Sequence, residues 1–242
     1  MNFGLVGKSL GHSFSKAYFQ KKFRQLALPY DYSNCELRSV EEFPKLLAEK
    51  EWAGFNVTIP YKEEILSFID ELSPEVLSIG AANVIKVRNQ KLWAYNTDHL
   101  GFRQDLQDFL VHEKPHKALV LGSGGASKAV IYALGQMGIE TQLVGRNARV
   151  DKWDYQKASS HLKDFPLIIN CSPLGTFPEI KKKPPLLLPE TMKGHFVYDL
   201  IYNPAETQFL KDARAKGAQT RNGRQMLVYQ AEAAWDIWTK SD

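Results

Sequence analysis

Apolar positions along this chain fall into short strand-sized runs that alternate with stretches of helical spacing, a pattern that predicts an α/β protein with largely parallel sheets. Residues 3–7 predict a strand and 15–26 a helix; 30–36 predict a second strand, 40–50 a helix and 54–58 a third strand. Residues 84–87 and 92–95 are strand-like and flank Asn89 and Gln90, which suit a hairpin turn. That hairpin interrupts the parallel pattern, so the first unit is expected to end near it. A helix follows over 98–110, with Thr97 or Asp98 available as its N-cap. The polar, proline-containing stretch 112–116 then leads into a fresh pattern of strand 117–121, helix 126–137 and strand 141–144, with further strands at 167–170 and 196–200. The last helix, 226–240, sets Leu227, Ala231, Ala234 and Trp238 along one stripe. Two domains joined by the 98–110 helix are expected, without internal repeats.

The turn after strand 117–121 is the first sign of chemistry. It reads Gly122-Ser123-Gly124-Gly125-Ala126 and runs straight into a helix. Gly122 permits a tight turn, and Gly124 lets backbone approach a pyrophosphate. The helix beyond offers that anion its unpaired N–H groups and the positive end of its dipole. The strand–turn–helix–strand setting is the context that gives such a glycine pattern its meaning, a dinucleotide-binding unit. NAD-binding units place an acid about 20 residues beyond the glycines, on the ribose hydroxyls. Here no acid lies between Glu140 and Asp151; Arg146 stands in that place, followed by Asn147 and Arg149. A guanidinium there suits a 2′-phosphate, so NADP is the expected cofactor.

Composition narrows the picture. A chain of 242 residues with 44% hydrophobic and 24% charged residues can bury real cores and is not disordered. No apolar run approaches the roughly 20 residues that span a bilayer, and residues 1–7 lack the features of a signal peptide. Two cysteines, Cys35 and Cys171, make no disulfide framework, and a cytoplasmic location is expected. The net charge of +4 is mild, and the basic run Lys181 to Lys183 precedes two prolines as a solvated loop, so no nucleic-acid module is expected. Six histidines give no ligand array, since Pro115 spoils the His112 and His116 pair, and no metal site is expected. Cys171 has no activating neighbour in sequence and reads as packing.

Three further segments complete the reading: Gly11-His12-Ser13-Phe14-Ser15-Lys16, Asn56-Val57-Thr58-Ile59-Pro60-Tyr61-Lys62 and Asn96-Thr97-Asp98-His99-Leu100-Gly101-Phe102. In this order they resemble the shikimate dehydrogenase family. Gly80-Ala81-Ala82-Asn83, Asn170-Cys171-Ser172-Pro173-Leu174-Gly175, Tyr198-Asp199-Leu200-Ile201-Tyr202-Asn203-Pro204 and Met226-Leu227-Val228-Tyr229-Gln230 extend the resemblance over essentially the whole chain.

The resemblance implies NADP-linked, reversible reduction of 3-dehydroshikimate to shikimate in aromatic amino acid biosynthesis. It implies an N-terminal α/β substrate domain, 1–97, completed by the C-terminal helix 226–242, and a Rossmann-like cofactor domain, 98–225, with the active site in the cleft between them. Ser13 and Ser15 would hold the substrate carboxylate. Asn56, Thr58, Asn83 and Gln230 would orient the ring and its hydroxyls, with Tyr202 closing over them. Lys62, opening a helix, and Asp98 would form the catalytic pair. Gly122, Ser123, Gly124, Gly125, Ala126, Arg146, Asn147, Gly223 and Met226 would contact the cofactor, and His12 would support the serines or serve the fold. A monomer or a homodimer fits equally.

The residues suit that chemistry on their own terms, because a lysine can donate a proton to a carbonyl oxygen and recover it, and a carboxylate can position that lysine. The chain departs from the family's usual pattern in places. Gly7-Lys8-Ser9 replaces Gly-x-Pro, Lys16 replaces a proline, and Thr176 replaces a methionine. Gly145-Arg146-Asn147 stands for Asn-Arg-Thr, and Asn222-Gly223-Arg224-Gln225-Met226 for Asn-Gly-x-Gly-Met. The competing readings are an NAD-linked quinate or quinate/shikimate dehydrogenase and a non-catalytic ligand sensor. Both serines and the missing acid after residue 144 favour shikimate and NADP over the first, and the intact Lys62 and Asp98 weigh against the second.

Overall fold

The computed structural model describes residues 1–11 and 13–240. His12, Ser241 and Asp242 lie outside the described residues, and with them the role considered for His12 and the last two residues expected for the C-terminal helix. The chain divides into two compact units, one of residues 1–98 with 230–242 and one of residues 99–229.

The first unit holds β1 (Asn2–Gly7), α1 (Phe14–Gln25), β2 (Asp31–Glu36), α2 (Phe43–Leu47), β3 (Trp52–Val57), β4 (Glu71–Leu72), α3 (Pro74–Ile79), β5 (Val84–Arg88) and β6 (Lys91–Tyr95). They form a mixed six-stranded sheet ordered β2-β1-β3-β5-β6-β4. β1 is parallel to β2 and β3, whereas β5 is antiparallel to both β3 and β6. The β5–β6 turn is the expected hairpin. Asn89 (φ 50°) and Gln90 (φ 61°) both adopt the left-handed backbone that a two-residue turn needs. Strand alternation gives the sheet two apolar faces. Phe3 and Leu5 join Phe19, Phe23 and Tyr32 on one side, where Ala231, Ala234 and Trp238 also pack. Val6 turns the other way, to Phe43, Phe55, Val57 and Ile85. Trp238 Nε1 donates to the Ile85 carbonyl at 3.0 Å, so the indole is buried without an unpaired donor.

The second unit begins just inside α4 (Asp98–Leu110) and continues with β7 (Lys117–Leu121), α5 (Gly125–Gln136), β8 (Glu140–Val144), β9 (Lys152–Trp153), α6 (Tyr155–Ser160), β10 (Leu167–Asn170), β11 (Phe196–Asp199), α7 (Gln208–Ala215) and β12 (Gln219–Asn222). α8 (Arg224–Thr239) follows, and the boundary between the units falls within it. The sheet is parallel throughout, ordered β12-β11-β10-β7-β8-β9. Its central strands are buried on both faces, as parallel strands are. Ala118 and Val120 of β7 pack with Phe102, Leu106 and Val130, and Leu119 and Leu121 with Ile168, Val197 and Phe209.

Two expectations need correction. Residues 40–50 do not form one helix: a 3-10 turn over Val40–Glu42 precedes α2, which ends at Leu47. Pro44 sits in the first turn of α2, where its missing N–H costs nothing, and so marks a restart. Lys62 does not open an α-helix either; it lies in a turn ahead of a 3-10 segment, Glu64–Phe68. No helix among the described residues is long and apolar enough to cross a membrane.

Candidate active site

In the first unit the backbone fixes four short segments. The β3 end carries Asn56 and Thr58, and the Thr58 N–H donates to Val6 O of β1 at 2.9 Å. Lys62 follows in the turn, where its carbonyl accepts from Ala82 N at 2.8 Å. Asn83 enters β5 and its carbonyl accepts from Val57 N at 2.9 Å. Asn96, Thr97 and Asp98 leave β6 for α4, and Asn96 Oδ1 accepts from Asp98 N at 3.1 Å, so Asn96 turns the chain into the helix.

These supports bring Lys62 and Asp98 together across 36 residues: Lys62 Nζ donates to Asp98 Oδ2 at 2.5 Å. Asp98 is buried, with the lysine stem largely so, which makes this an ion pair of low dielectric rather than a surface pair. Asn83 Nδ2 takes the other carboxylate oxygen, Oδ1, at 2.9 Å, and also lies 3.0 Å from Thr97 Oγ1 and 3.2 Å from Gln230 Oε1. Asn83 Oδ1 accepts from Thr97 N at 2.6 Å. The carboxylate is therefore held on both oxygens.

The network continues to residues that sequence reasoning missed. Asn56 Nδ2 donates to the Asn83 carbonyl at 3.3 Å, and Asn56 Oδ1 accepts from the Tyr32 hydroxyl at 2.6 Å. Tyr32 is fully buried and stacks on Phe19 at 4.9 Å between ring centroids. Burial pushes its phenol well above the ordinary value, and a hydrogen bond with Ser15 works the other way. Tyr32 is thus joined through Asn56 and Asn83 to the Lys62–Asp98 pair. Ser13 is the N-cap of α1, its Oγ accepting from Lys16 N at 3.1 Å, which leaves its hydroxyl hydrogen to give elsewhere. The signal for Tyr32 was faint: a tyrosine in a strand reads as core, and only the fold shows where its hydroxyl ends.

The second unit carries the glycine turn. Gly122 has φ +104°, and a Cβ there would lie 3.0 Å from Ser172 N, so both conformation and space exclude a side chain. Ser123 and Gly124 are exposed, nothing lies within 4 Å of a Cβ built on Gly124, and Gly124 is the N-cap of α5 without a side-chain cap. The Gly125 and Ala126 amides at the start of α5 have no intrahelical partner and can take an anion, whereas Ser127 N already donates to the Gly124 carbonyl at 3.0 Å. At the end of β8, Arg146 and Asn147 are exposed.

Two loops at the ends of β10 and β11 are tied by Asp199. Its Oδ1 accepts from Asn170 Nδ2 at 3.0 Å and Ile201 N at 3.1 Å, and its Oδ2 from Thr207 Oγ1 at 2.7 Å. Asn170 Oδ1 in turn accepts from Ser172 N and Oγ. Burial without a cation pushes the Asp199 carboxyl up to about 6, against the lowering effect of these hydrogen bonds. Tyr202 projects from the second of these loops, more than a third exposed. Gly223 lies against the Leu200 carbonyl, leaving no room for a side chain. Met226 is buried in the unit's core, and its N–H donates to Asp105 Oδ2 at 3.0 Å. Asp105, fully buried, also accepts from Tyr198 Oη at 2.5 Å and is bridged by Arg221. A charged residue beside Phe102 and Leu106 on a helix was the available sign of that anchor.

Comparison with known proteins agrees with the resemblance read from the sequence. Residues 5–85 match the shikimate dehydrogenase substrate binding domain. Shikimate dehydrogenase (NADP(+)) of Caldicellulosiruptor bescii is 43% identical over 97% of this chain and 88% of its own length. The same enzyme of Caldicellulosiruptor saccharolyticus is 40% identical over 97% and 90%. A Thermus thermophilus shikimate 5-dehydrogenase solved with NADP(H) and shikimate is 31% identical, with a TM-score of 0.86 over 99% of this chain and 93% of that one. On sequence and on fold alike, this chain belongs to the shikimate dehydrogenase family.

Proposed function

We propose that this chain is an NADP-dependent shikimate dehydrogenase, reversibly reducing 3-dehydroshikimate to shikimate in aromatic amino acid biosynthesis. The observation that carries this is the buried Lys62–Asp98 pair at 2.5 Å, with Asn83 on the second carboxylate oxygen. Relatives that cover nearly all of the chain bear the name of this activity.

In the reducing direction a carbonyl oxygen must gain a proton as its carbon gains hydride. Lys62 Nζ is the donor, and in the oxidising direction the neutral amine takes the hydroxyl proton back. Asp98 holds Nζ in place, while Asn83 fixes the carboxylate itself. Ser13 and Ser15 bind the substrate carboxylate through their hydroxyls. Asn56, Thr58, Asn83 and Gln230 orient the ring, and Tyr202 closes over it. Tyr32 holds the Asn56 amide in place through its hydroxyl.

The residues present fit NADP. The open space at Gly124 and the uncapped start of α5 suit a pyrophosphate, and the exposed Arg146 at the end of β8 suits a 2′-phosphate where no carboxylate competes. When bound, the nicotinamide supplies or accepts the hydride. Gly122, Ser123, Gly124, Gly125 and Ala126 would hold the diphosphate, Arg146 and Asn147 the ribose phosphate, and Gly223 and Met226 the nicotinamide end. The unpaired thiols of Cys35 and Cys171 fit a reducing cytoplasm, where the chain would act as monomer or homodimer.

A steady-state assay of shikimate and quinate, each with NADP and NAD, tests the proposal. Turnover should be fastest with shikimate and NADP. Efficient oxidation of quinate with NAD, and none of shikimate, would replace the reading with that of a quinate enzyme.

A further inference from the structure

The loop after β8 carries three cations close together. Arg146, Arg149 and Lys152 follow one another closely, and none enters an ion pair among the described residues. Some surface cations elsewhere in this unit do, as Arg214 with Glu206, Lys183 with Asp212 and Lys117 with Glu140. Asp151 and Asp154 lie nearby in sequence, but Asp154 is spent on capping α6, where it accepts from Lys157 N at 2.8 Å.

Among the three, Lys152 is the one whose position the fold fixes. It is the first residue of β9 and lies in register with Leu143 of β8. The loop closes on it from both sides, with Arg149 N donating to Lys152 O at 2.7 Å and Lys152 N to Arg149 O at 3.2 Å. Gly145 N donates to Trp153 O at 2.9 Å, which binds the residue after β8 to the same short strand. The lysine stem then runs across Gly145: a Cβ there would lie 3.1 Å from Cδ, 3.3 Å from Cε and 3.4 Å from Nζ. A side chain at 145 would require the stem to give by a few tenths of an ångström. The glycine thus leaves room for an ammonium group just past the carboxyl end of β8, over the residue that precedes Arg146. In a dinucleotide-binding unit the end of the second strand is where the 2′ position of the adenosine ribose is read.

We propose that Lys152, seated across Gly145, is a specificity-determining residue that works with Arg146 to bind the 2′-phosphate of NADP. This rests on the NADP reading above. Arg146 offers a planar fork and Lys152 a point charge, so together they can neutralise most of a phosphate dianion and meet it from two directions. The 2′-hydroxyl of NAD offers no charge to either. A stem already laid over Gly145 loses less rotamer freedom on binding than a free lysine, which adds to the discrimination. The replacement of the family's Asn-Arg-Thr by Gly145-Arg146-Asn147 also gains a reason. Removing the first side chain opens the seat into which Lys152 brings a charge.

The test is equilibrium binding by calorimetry of NADP, NAD and adenosine 2′,5′-bisphosphate to the full chain and to Lys152→Met, which keeps the stem and removes the charge. The variant should bind NADP and the bisphosphate about 10-fold more weakly, with NAD changed by less than about twofold. Gly145→Asn, which displaces the stem and leaves the charge, should weaken the same two ligands. Unchanged NADP and bisphosphate affinity in Lys152→Met, beside a clear wild-type preference for NADP, would overturn the assignment and leave the NADP reading standing. Equal weakening of NADP and NAD would overturn it as well, by showing a role in the loop's shape only. A wild-type chain that binds NAD as tightly as NADP would overturn both.

Discussion

Two carboxylates, one in each unit, are buried and hydrogen-bonded, yet they are held in opposite ways. Asp98 meets a cation on one oxygen, Lys62 Nζ at 2.5 Å, and an amide on the other. Asp199 meets only neutral donors, from Asn170, Ile201 and Thr207, and its carboxyl is pushed up to about 6. A buried carboxylate beside a lysine forms a unit that can move a proton and recover it. One tied by neutral donors on both oxygens has them occupied in fixing the loops at the ends of two strands. Burial alone therefore does not mark the chemistry, and neither does a charged partner, since buried Asp105 meets the Arg221 guanidinium and serves as an anchor; a cation that can give up its proton does.

The largest expected effect breaks the comparison at its charged end. Lys62→Ala should lose about 10²–10⁴-fold in kcat while retaining shikimate binding, because the lysine's main work lies in the transition state. Steady-state kinetics with a shikimate titration reads both quantities. Near-normal turnover would put Asp98 in the same class as Asp199.

The neutral-held carboxylate yields a stability prediction. The folded-state pKa of Asp199, about 6, lies above an unfolded value near 4. The folded protein therefore binds this proton more tightly than the unfolded chain does. The stabilisation is fully present below about pH 4 and is lost as pH rises through about 6, to a total of about 3 kcal/mol. Urea unfolding of wild type and Asp199→Asn at pH 4 and pH 7.5 should show the difference between the two proteins changing over that window. A constant difference would mean that Asp199 is no less at ease as an anion than in the unfolded chain.

Groups outside both carboxylate networks should act on affinity rather than turnover. Arg146→Ala should raise the KM for NADP about 10-fold, the lower end of what a charge-assisted hydrogen bond contributes, and leave NAD little changed. Equal KM changes for the two dinucleotides would show that the guanidinium does not read the ribose. Ser13→Ala should have the smallest effect, a rise in shikimate KM worth about 1–2 kcal/mol with kcat kept. A modest fall in Tm should accompany it, since the same hydroxyl caps α1. An unchanged KM beside that lower Tm would leave the serine with its capping role alone.

The two units were not equally legible in the sequence. In the second, apolar strand 117–121, a glycine turn and a helix stand consecutively, so a local pattern sufficed. In the first, Lys62 and Asp98 are 36 residues apart, and in the sequence only the family resemblance joins them. Tyr32, Asp105 and Asp199 went unassigned because their partners lie far along the chain: 24 residues for Tyr32 and Asn56, 121 for Asp105 and Met226. The strands that pattern reading missed were short or polar. β4 and β9 have two residues each, too few for alternation, and β12 reads Gln-Thr-Arg-Asn because it is an edge strand facing solvent. β9 mattered most, since it carries Lys152 to the end of β8.

The claim at the centre is that Lys62 and Asp98 act as one device, and a double-mutant cycle on turnover with shikimate and NADP measures it most directly. Lys62→Met, Asp98→Asn and the double variant should all fold, with the double variant no slower than the slower single, because removing either member disables the pair. Losses that multiply in the double variant would show two residues working independently and would contradict the account.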